Sequence, residues 1–169
     1  GLLCVAGVAC CVAMAMPQVH IVAYCGDLGY GPAQGAIMLS LDRKSFIDII
    51  GEGQGEIGAA MQPPPNGVWG MPAEMLRSLP GYDPDVAKNR AQAQDLMKKL
   101  GYGPEKRLPV TVTTRNVAAY RDPAVILIDQ LKEIFIDGTL NAIDTTQWYP
   151  TVMRKDYALA FTVTETGLD

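Results

Sequence analysis

The sequence predicts an α/β fold built on a mostly parallel sheet. Three apolar or β-branched runs in the second half of the chain are typical of strands, and a helical pattern separates each run from the next. Parallel strands must be joined by crossover connections, which are usually helices. The order strand, helix, strand, helix, strand therefore predicts strand–helix–strand units with helices packed on the sheet.

The first half of the chain is predicted to be helical. An apolar pattern with spacings of seven and four predicts one helix that ends at Gly51. Its apolar positions are Leu39, Phe46 and Ile50. Residues 51–72 are rich in Gly and Pro and predict a loop, which a short helix over Ala73–Leu79 is expected to follow.

A stronger helix is predicted to begin at Asp83-Pro84, because Asp is a good N-cap and Pro a good first helical residue. Asp95 and Lys99 are spaced to form an ion pair on its surface. Gly101 is suited to end it. The residues of its apolar face are Val86, Ala93, Met97 and Leu100.

The strands and helices of the second half follow in order. The strands are predicted at Leu108–Thr114, Thr139–Asp144 and Tyr157–Thr164. Asp122-Pro123 predicts the start of the first intervening helix, and Gly138 its end. The apolar stripe of that helix comprises Ala124, Leu127, Ile128, Leu131 and Phe135. Thr145 or Thr146 is expected to cap a short helix that runs through Arg154.

Composition limits the classes of function. The 169 residues are enough for one domain with a core, and a hydrophobic content of 49% excludes a disordered chain. The formal net charge is −4, whereas nucleic-acid-binding domains are usually basic. We therefore expect no nucleic-acid partner.

The first 33 residues differ from the rest, and we predict a domain boundary there: an apolar, Cys-rich leader over 1–33 and one lobe over 34–169. The first charged side chain is Asp27. The cysteines of the chain are Cys4, Cys10, Cys11 and Cys25. A truncated signal peptide, a misassembled leader and a buried apolar element are three interpretations of this segment.

Metal and nucleophile chemistry finds little support in the sequence. Cysteine spacing alone assigns no disulfide, although an oxidising compartment would allow one. His20 is the only histidine, and no CxxC pair accompanies it, so we predict neither a metal site nor a Cys–His or Ser–His–Asp catalytic site. We expect no catalytic residue and no cofactor.

One motif suggests an alternative function. Gly53, Gly55 and Gly58 match the dinucleotide pattern GxGxxG, and Glu74 follows at about the distance of a ribose-binding acid. That pattern must follow a strand and open a helix, whereas the residues before Gly53 are predicted to be helical and Pro63 would end any helix soon after. We interpret the segment as a turn-rich connection and keep a small nucleotide-binding α/β enzyme as the alternative.

Ligands of open α/β sheets bind beyond the carboxyl ends of the strands. This rule makes Arg115 and Asn116, which follow the first strand, candidate ligand contacts. The residues predicted to end and follow the last strand, Thr164, Glu165 and Thr166, join them. Trp69, in the Gly/Pro loop, is a further candidate because loop aromatics often line clefts. Trp148 is expected in the core.

Four segments resemble the extracytoplasmic solute-binding proteins of peptide and oligopeptide ABC transporters (family 5). They are LSLDRKSFIDII (39–50), GYDPDVAKNRAQAQDLMKKLGYGP (81–104), TTRNVAAYRDPAVILIDQLKEIFID (113–137) and IDTTQWYPTVMRKDYALAF (143–161). They occur in the family's order and together cover about residues 37–169. No single segment is diagnostic.

The resemblance implies part of one lobe of a type II periplasmic-binding fold. It also implies a role in binding peptides or related small solutes, delivery to the permease subunits of an ABC transporter, and a periplasmic or membrane-associated extracytoplasmic location. In the family an acidic residue after the last strand often holds a peptide's amino group, and Glu165 or Asp169 is the corresponding candidate. Family chains are several times longer than a single lobe, so a fragment is expected. The change in composition near residue 33 adds a non-functional truncated product as an alternative.

Overall fold

The computed structural model describes residues 31–55, 57 and 71–162. The chain divides into two compact units, Gly1–Gly101 and Tyr102–Asp169. The predicted boundary near residue 33 adjoins the undescribed residues 1–30 and stays a prediction. The four cysteines and His20 also lie outside the described residues.

The described part of the first unit is helical. Its helices are α1 (Pro32–Ser40), α2 (Arg43–Ile50), α3 (Ala73–Arg77) and α4 (Val86–Lys99). Helix α1 packs against α4. Ala36 and Leu39 of α1 are buried, as are Ala93 and Met97 of α4, so the predicted apolar face of α4 is confirmed at its centre.

The prediction of a single helix through Leu39 and Ile50 is wrong. Helix α1 ends at Ser40 and α2 begins at Arg43, and Leu41 and Asp42 between them have extended backbone conformations. Asp42 adopts an extended backbone and its carboxylate accepts a hydrogen bond from the Ser45 amide at 3.1 Å, which begins α2 as a new helix. The predicted end at Gly51 is confirmed, since the Gly51 amide donates to the Ile47 carbonyl.

Helix α4 begins after Asp85, not at Asp83-Pro84. The Asp85 carboxylate accepts from the Lys88 amide at 3.0 Å. Asp83 instead accepts from Lys88 Nζ at 2.6 Å and from the Asp85 amide at 3.0 Å, and the hydrogen bond from Lys88 lowers the pKa of the Asp83 carboxyl. The carboxylate of Asp95 pairs with Lys98 at 3.6 Å rather than with Lys99. Gly101, at φ +81°, follows the helix end as predicted.

The second unit contains a three-stranded sheet. Its elements are β1 (Leu108–Arg115), α5 (Ala118–Lys132), β2 (Ile136–Ile143), α6 (Thr145–Met153) and β3 (Leu159–Ala160). The strand order is β2-β1-β3, and both pairs are parallel. The predicted α/β class with a parallel sheet is confirmed. Strand β3 is much shorter than predicted, and residues from 163 onward lie outside the described part.

Helix α5 begins at Ala118, four residues before the predicted Asp122-Pro123 start, so Pro123 lies inside it. Its first turn forms before the proline because the Arg121 amide donates to the Val117 carbonyl at 3.0 Å. The predicted apolar stripe is confirmed for Ala124, Leu127 and Leu131, which are buried with Val112, Ile134 and Ile136 in the core of this unit. Phe135 lies beyond the end of the helix.

Gly138 does not end α5 but lies within β2. The helix ends at Lys132, and Phe135 takes the left-handed backbone conformation, at φ +64°, between helix and strand. A Cβ at Gly138 would lie 3.1 Å from both γ carbons of Ile128 on α5. The missing side chain therefore lets helix and strand approach closely.

Helix α6 is capped by Asp144, not by Thr145 or Thr146 as predicted. The Asp144 carboxylate accepts from the Thr146 amide at 2.8 Å. Because Asp144 directly follows β2, the strand passes into the helix without an intervening loop. Trp148 is buried, as predicted.

Candidate functional site

The carboxyl ends of the strands lie at one edge of the sheet. Arg115, the last residue of β1, is in register with Ile143, the last residue of β2. The Asn116 amide continues the pairing by donating to the Ile143 carbonyl at 2.7 Å. Strand β3 runs in the same direction and pairs with β1. Two of the predicted ligand residues therefore stand at the edge where ligands of such sheets bind.

Arg115 is half-buried and contacts two elements. Its Nη1 donates to the Tyr120 hydroxyl at 2.9 Å, and its guanidinium lies over the Tyr120 ring, 4.6 Å from the centroid. Its Nε and Nη2 each lie 3.4 Å from Thr145 Oγ1. The end of β1 is thus tied to the first turns of α5 and α6. The guanidinium is held as a fixed cation at the sheet edge.

Asn116 is exposed beside this cation. Its Oδ1 accepts from Arg121 Nη1 at 3.2 Å. The structure therefore places two arginine side chains and one amide around the carboxyl end of β1. Such a group of donors suits a carboxylate or peptide carbonyl.

Thr114 of β1 contacts the segment that follows β3. It is fully buried, and its Oγ1 donates to the Phe161 carbonyl at 2.9 Å. The Phe161 amide in turn donates to the Thr113 carbonyl at 2.9 Å. These bonds hold the chain beside β1 just beyond β3, so the end of the third strand is anchored at the same edge.

Asp144 places a negative charge at the start of α6, directly after the end of β2. Its carboxylate accepts from the Thr146 hydroxyl at 2.7 Å and from the Thr146 amide. The hydrogen bonds from this hydroxyl and this amide hold the pKa of the Asp144 carboxyl below its usual range. The site therefore combines the fixed cation of Arg115 with a carboxylate at the start of α6.

Four residues of this site were not predicted from the sequence as ligand-site residues: Tyr120, Arg121, Asp144 and Thr145. Asp144 and Thr145 could have been found, because they follow β2 and the rule applied to Arg115 holds for every parallel strand. Tyr120 carried no such signal, since α5 was predicted to begin after it. The other four predicted residues, Trp69, Thr164, Glu165 and Thr166, lie outside the described residues.

The first unit contains a separate cavity of about 840 Å³, bounded by α2, α3 and residues 81–86. Arg43, one of the cationic residues in its wall, makes contacts that stabilise the fold. Arg43 Nη1 donates to the Gly81 carbonyl at 2.7 Å, and the guanidinium lies 3.9 Å from the Tyr82 ring centroid. Gly81, at φ +80°, has no room for a side chain, because a Cβ would lie 2.8 Å from the Met38 carbonyl oxygen. Arg43 Nη2 also donates to the Met38 carbonyl at 3.4 Å, so Arg43 joins the chain before α4 to the end of α1.

The dinucleotide interpretation loses its structural context. Helix α2, not a strand, precedes Gly53, as the sequence predicted. Gly53 and Gly55 have positive φ angles of 79° and 145°. They lie in the non-helical residues 51–55 that follow α2, whereas a phosphate-binding loop of the dinucleotide type requires a strand before it. Gly58 lies outside the described residues.

The described residues contain no cluster of three or more His, Cys, Asp or Glu side chains suited to hold a metal ion. No helix among them has the length and apolar character that crossing a bilayer requires.

Comparison with solved structures shows the fold. Haemophilus influenzae OppA, in complex with RPPGFSPFR, aligns with a TM-score of 0.60 at 20% identity, over 75% of this chain and 25% of its own. Helicobacter pylori DppA, in complex with peptide STSA, aligns with a TM-score of 0.55 at 22% identity, over 75% of this chain and 22% of its own. Brucella suis NikA, in complex with Fe(III)-EDTA, aligns with a TM-score of 0.55 at 17% identity, over 78% of this chain and 27% of its own.

The chain spans about a quarter of the length of these solved proteins. No curated protein matches the sequence. The sequence model of the family described as bacterial extracellular solute-binding proteins, family 5 Middle, matches residues 35–168, which is most of the chain. The segment resemblance and the parallel sheet agree with this match, and the chain belongs to the bacterial extracellular solute-binding proteins of family 5.

Proposed function

We propose that the chain serves as part of the substrate-binding component of an ABC importer for peptides or related small solutes. The observation that carries this proposal is the family match over residues 35–168. The role is ligand binding and delivery to permease subunits, outside the cytoplasmic membrane, and not catalysis. Membership of an extracellular solute-binding family supports this location.

The ligand contacts we propose begin at the carboxyl edge of the sheet. Arg115 offers a cation whose position is fixed by Tyr120 and Thr145, so it would lose little side-chain freedom on binding a carboxylate or a peptide carbonyl. Asn116 adds an exposed amide. A bound peptide also carries a positive amino group, for which Glu165 or Asp169 is the proposed partner. Thr164 and Thr166 are proposed as further contacts in the second unit, and Trp69 is proposed as a ligand contact of the first unit.

Affinity of this chain alone is expected to be weak. Binding sites bury most of a ligand's surface, and much of that burial comes from closing one part of a protein on another. The chain aligns with about a quarter of each solved relative, so it supplies a correspondingly small part of such an enclosure. We therefore expect fast exchange between free and bound peptide.

The experiment is an NMR titration of the ¹⁵N-labelled chain with a mixed pool of short peptides. The expected result is a fast-exchange shift of amides at the sheet edge, above all those of Asn116 and Thr145. Arg115→Ala should abolish these shifts. Arg107→Ala is the matched control: Arg107 lies before β1, at the opposite end of the strand, and donates to the Lys132 carbonyl.

Two results would contradict the proposal. One is a peptide titration at millimolar concentration in which no amide of the sheet edge moves. The other is saturable quenching of tryptophan fluorescence by NAD(H), which would favour the nucleotide-binding enzyme. Submicromolar peptide affinity would contradict only the expectation of weak binding.

A further inference from the structure

Strand β2 forms an outer edge of the sheet, and half of its backbone faces away from β1. The Leu108 amide donates to the Phe135 carbonyl at 2.9 Å, and the Asn116 amide to the Ile143 carbonyl at 2.7 Å. In a strand, alternate residues direct their backbone groups to opposite sides. The outward-facing residues are therefore Ile136, Gly138, Leu140 and Ala142.

This edge has little of the usual protection against pairing. Natural edge strands are kept short, twisted by bulges, or carry proline or charged side chains, above all lysine, and in β2 Asp137 is the one charged residue. Strand β2 has eight residues, IDGTLNAI, with neither Pro nor Lys, and its register with β1 is unbroken over its whole length. Within the described part of the chain, β1 is its one strand neighbour. The contrast is β3, which has only two residues.

The sequence of β2 is complementary to itself. We propose that the β2 edge binds a second copy of this chain, by antiparallel pairing around a two-fold axis at Thr139. In that register Asp137 lies opposite Asn141 of the second copy, Thr139 opposite Thr139, and Gly138 opposite Leu140. Asp137, Thr139 and Asn141 are all exposed. Carboxylate–amide and threonine–threonine pairs are favourable across strands, and no like charges oppose each other.

The helix above the edge fits the same partner. Ile128 of α5 packs against Gly138 of β2. Val125 lies three residues earlier on the same helical face and is 52% exposed. It therefore extends the apolar surface on the β2 side of α5. Pairing of two β2 strands would join the two sheets into one continuous six-stranded sheet. The α5 helix of the second copy would then pack against this apolar surface and cover it. This inference does not depend on the proposed function.

The test is sedimentation velocity of the full chain over a wide range of concentration. Wild type is expected to sediment as a concentration-dependent dimer. Thr139→Lys and Thr139→Glu each place two like charges face to face at the axis, so each should weaken dimerisation by about tenfold or more. Mixing the two variants should restore association as a heterodimer, because the opposed charges then attract.

Thr111→Lys is the matched control. Thr111 is exposed, is the register partner of Thr139, and lies on the central strand. This variant should dimerise as wild type does. Circular dichroism of all three variants checks that each is folded. A wild-type chain that stays monomeric throughout the range would overturn the proposal, and so would Thr139→Lys dimerising as strongly as Thr111→Lys.

Discussion

Arg115 and Tyr120 form a two-part contact in which the guanidinium both covers the tyrosine ring and donates to its hydroxyl at 2.9 Å. The contact joins the end of β1 to the first turn of α5. The two residues are only five apart in sequence, yet they close the connection between a strand and a helix.

We expect Tyr120→Phe to destabilise the second unit by about 1 kcal/mol, because it removes the hydroxyl acceptor and keeps the ring. Arg115→Ala should cost more, since it also removes the ring contact and the contacts with Thr145. Urea unfolding of both single variants and the double variant measures the coupling. Fully additive effects would contradict a direct bond in solution.

Gly138→Ala should destabilise the protein by about 1 kcal/mol or more, because the new Cβ would crowd both γ carbons of Ile128 at 3.1 Å. Gly103→Ala is the control, since a Cβ there meets nothing within 4 Å. Thermal unfolding compares the two variants. Adding Ile128→Ala to Gly138→Ala should cost less than the sum of the single changes, and equal stability of the two alanine variants would argue against the close packing.

The pH dependence of stability should contain a contribution from Asp144. Its pKa is lowered in the folded state by hydrogen bonds from Thr146. A lowered folded-state pKa stabilises the protein above the pKa of the unfolded state, and this stability is lost as pH falls through the folded-state pKa. Asp144→Asn should keep a capping side chain but reduce this loss of stability at acid pH.

Melting temperatures of wild type and Asp144→Asn between neutral and acid pH test this prediction. Asp83, whose pKa is also lowered, is present in both proteins, so the difference between the two curves isolates Asp144. Asp144→Ala, which removes the cap, should melt lower than both at neutral pH. If the melting temperatures of wild type and Asp144→Asn fell equally as the pH was lowered, the result would contradict the lowered pKa of Asp144.

Met97→Ala should destabilise the first unit by about 2–5 kcal/mol, because Met97 is fully buried between the helices. Met75→Ala in the same unit is the matched control. Met75 is 55% exposed, and the same substitution there should change the stability by less than about 0.5 kcal/mol. Chemical unfolding measures both, and equal losses would show that Met97 is not in the core of the folded chain.

The sequence predicted the parallel sheet and the buried faces of α4 and α5, because periodic apolar residues report burial directly. It failed mainly at helix starts. Asp83 and Asp85 are equally good caps locally, and the choice depends on Lys88 and Asn89, whose side chains hold Asp83 and its carbonyl. Helix α5 also forms its first turn at Ala118, before Pro123, and the Asp122-Pro123 pattern did not indicate this turn.

The candidate site was predictable in outline for a similar reason. The end of β1 was evident from its β-branched run, so the sequence could place Arg115 and Asn116 at the carboxyl end of this strand. Their partners Tyr120 and Thr145 come from the elements that follow β1 and β2, and only the three-dimensional arrangement brings them to Arg115. Strand alternation predicts which edge a residue occupies but not which side chain it contacts.

The strand order has a consequence for how this unit folds. The side chains of Thr113 and Asn141, which join β1 to β2, are 28 residues apart, whereas Thr114 and Phe161, which join β1 to the end of β3, are 47 apart. Closing the shorter loop costs less chain entropy. It also allows eight residue pairs to form between β1 and β2, whereas only two form between β1 and β3. The β1–α5–β2 unit is therefore the nucleus we expect in the folding transition state, and β3 should dock last, onto an edge that is already built.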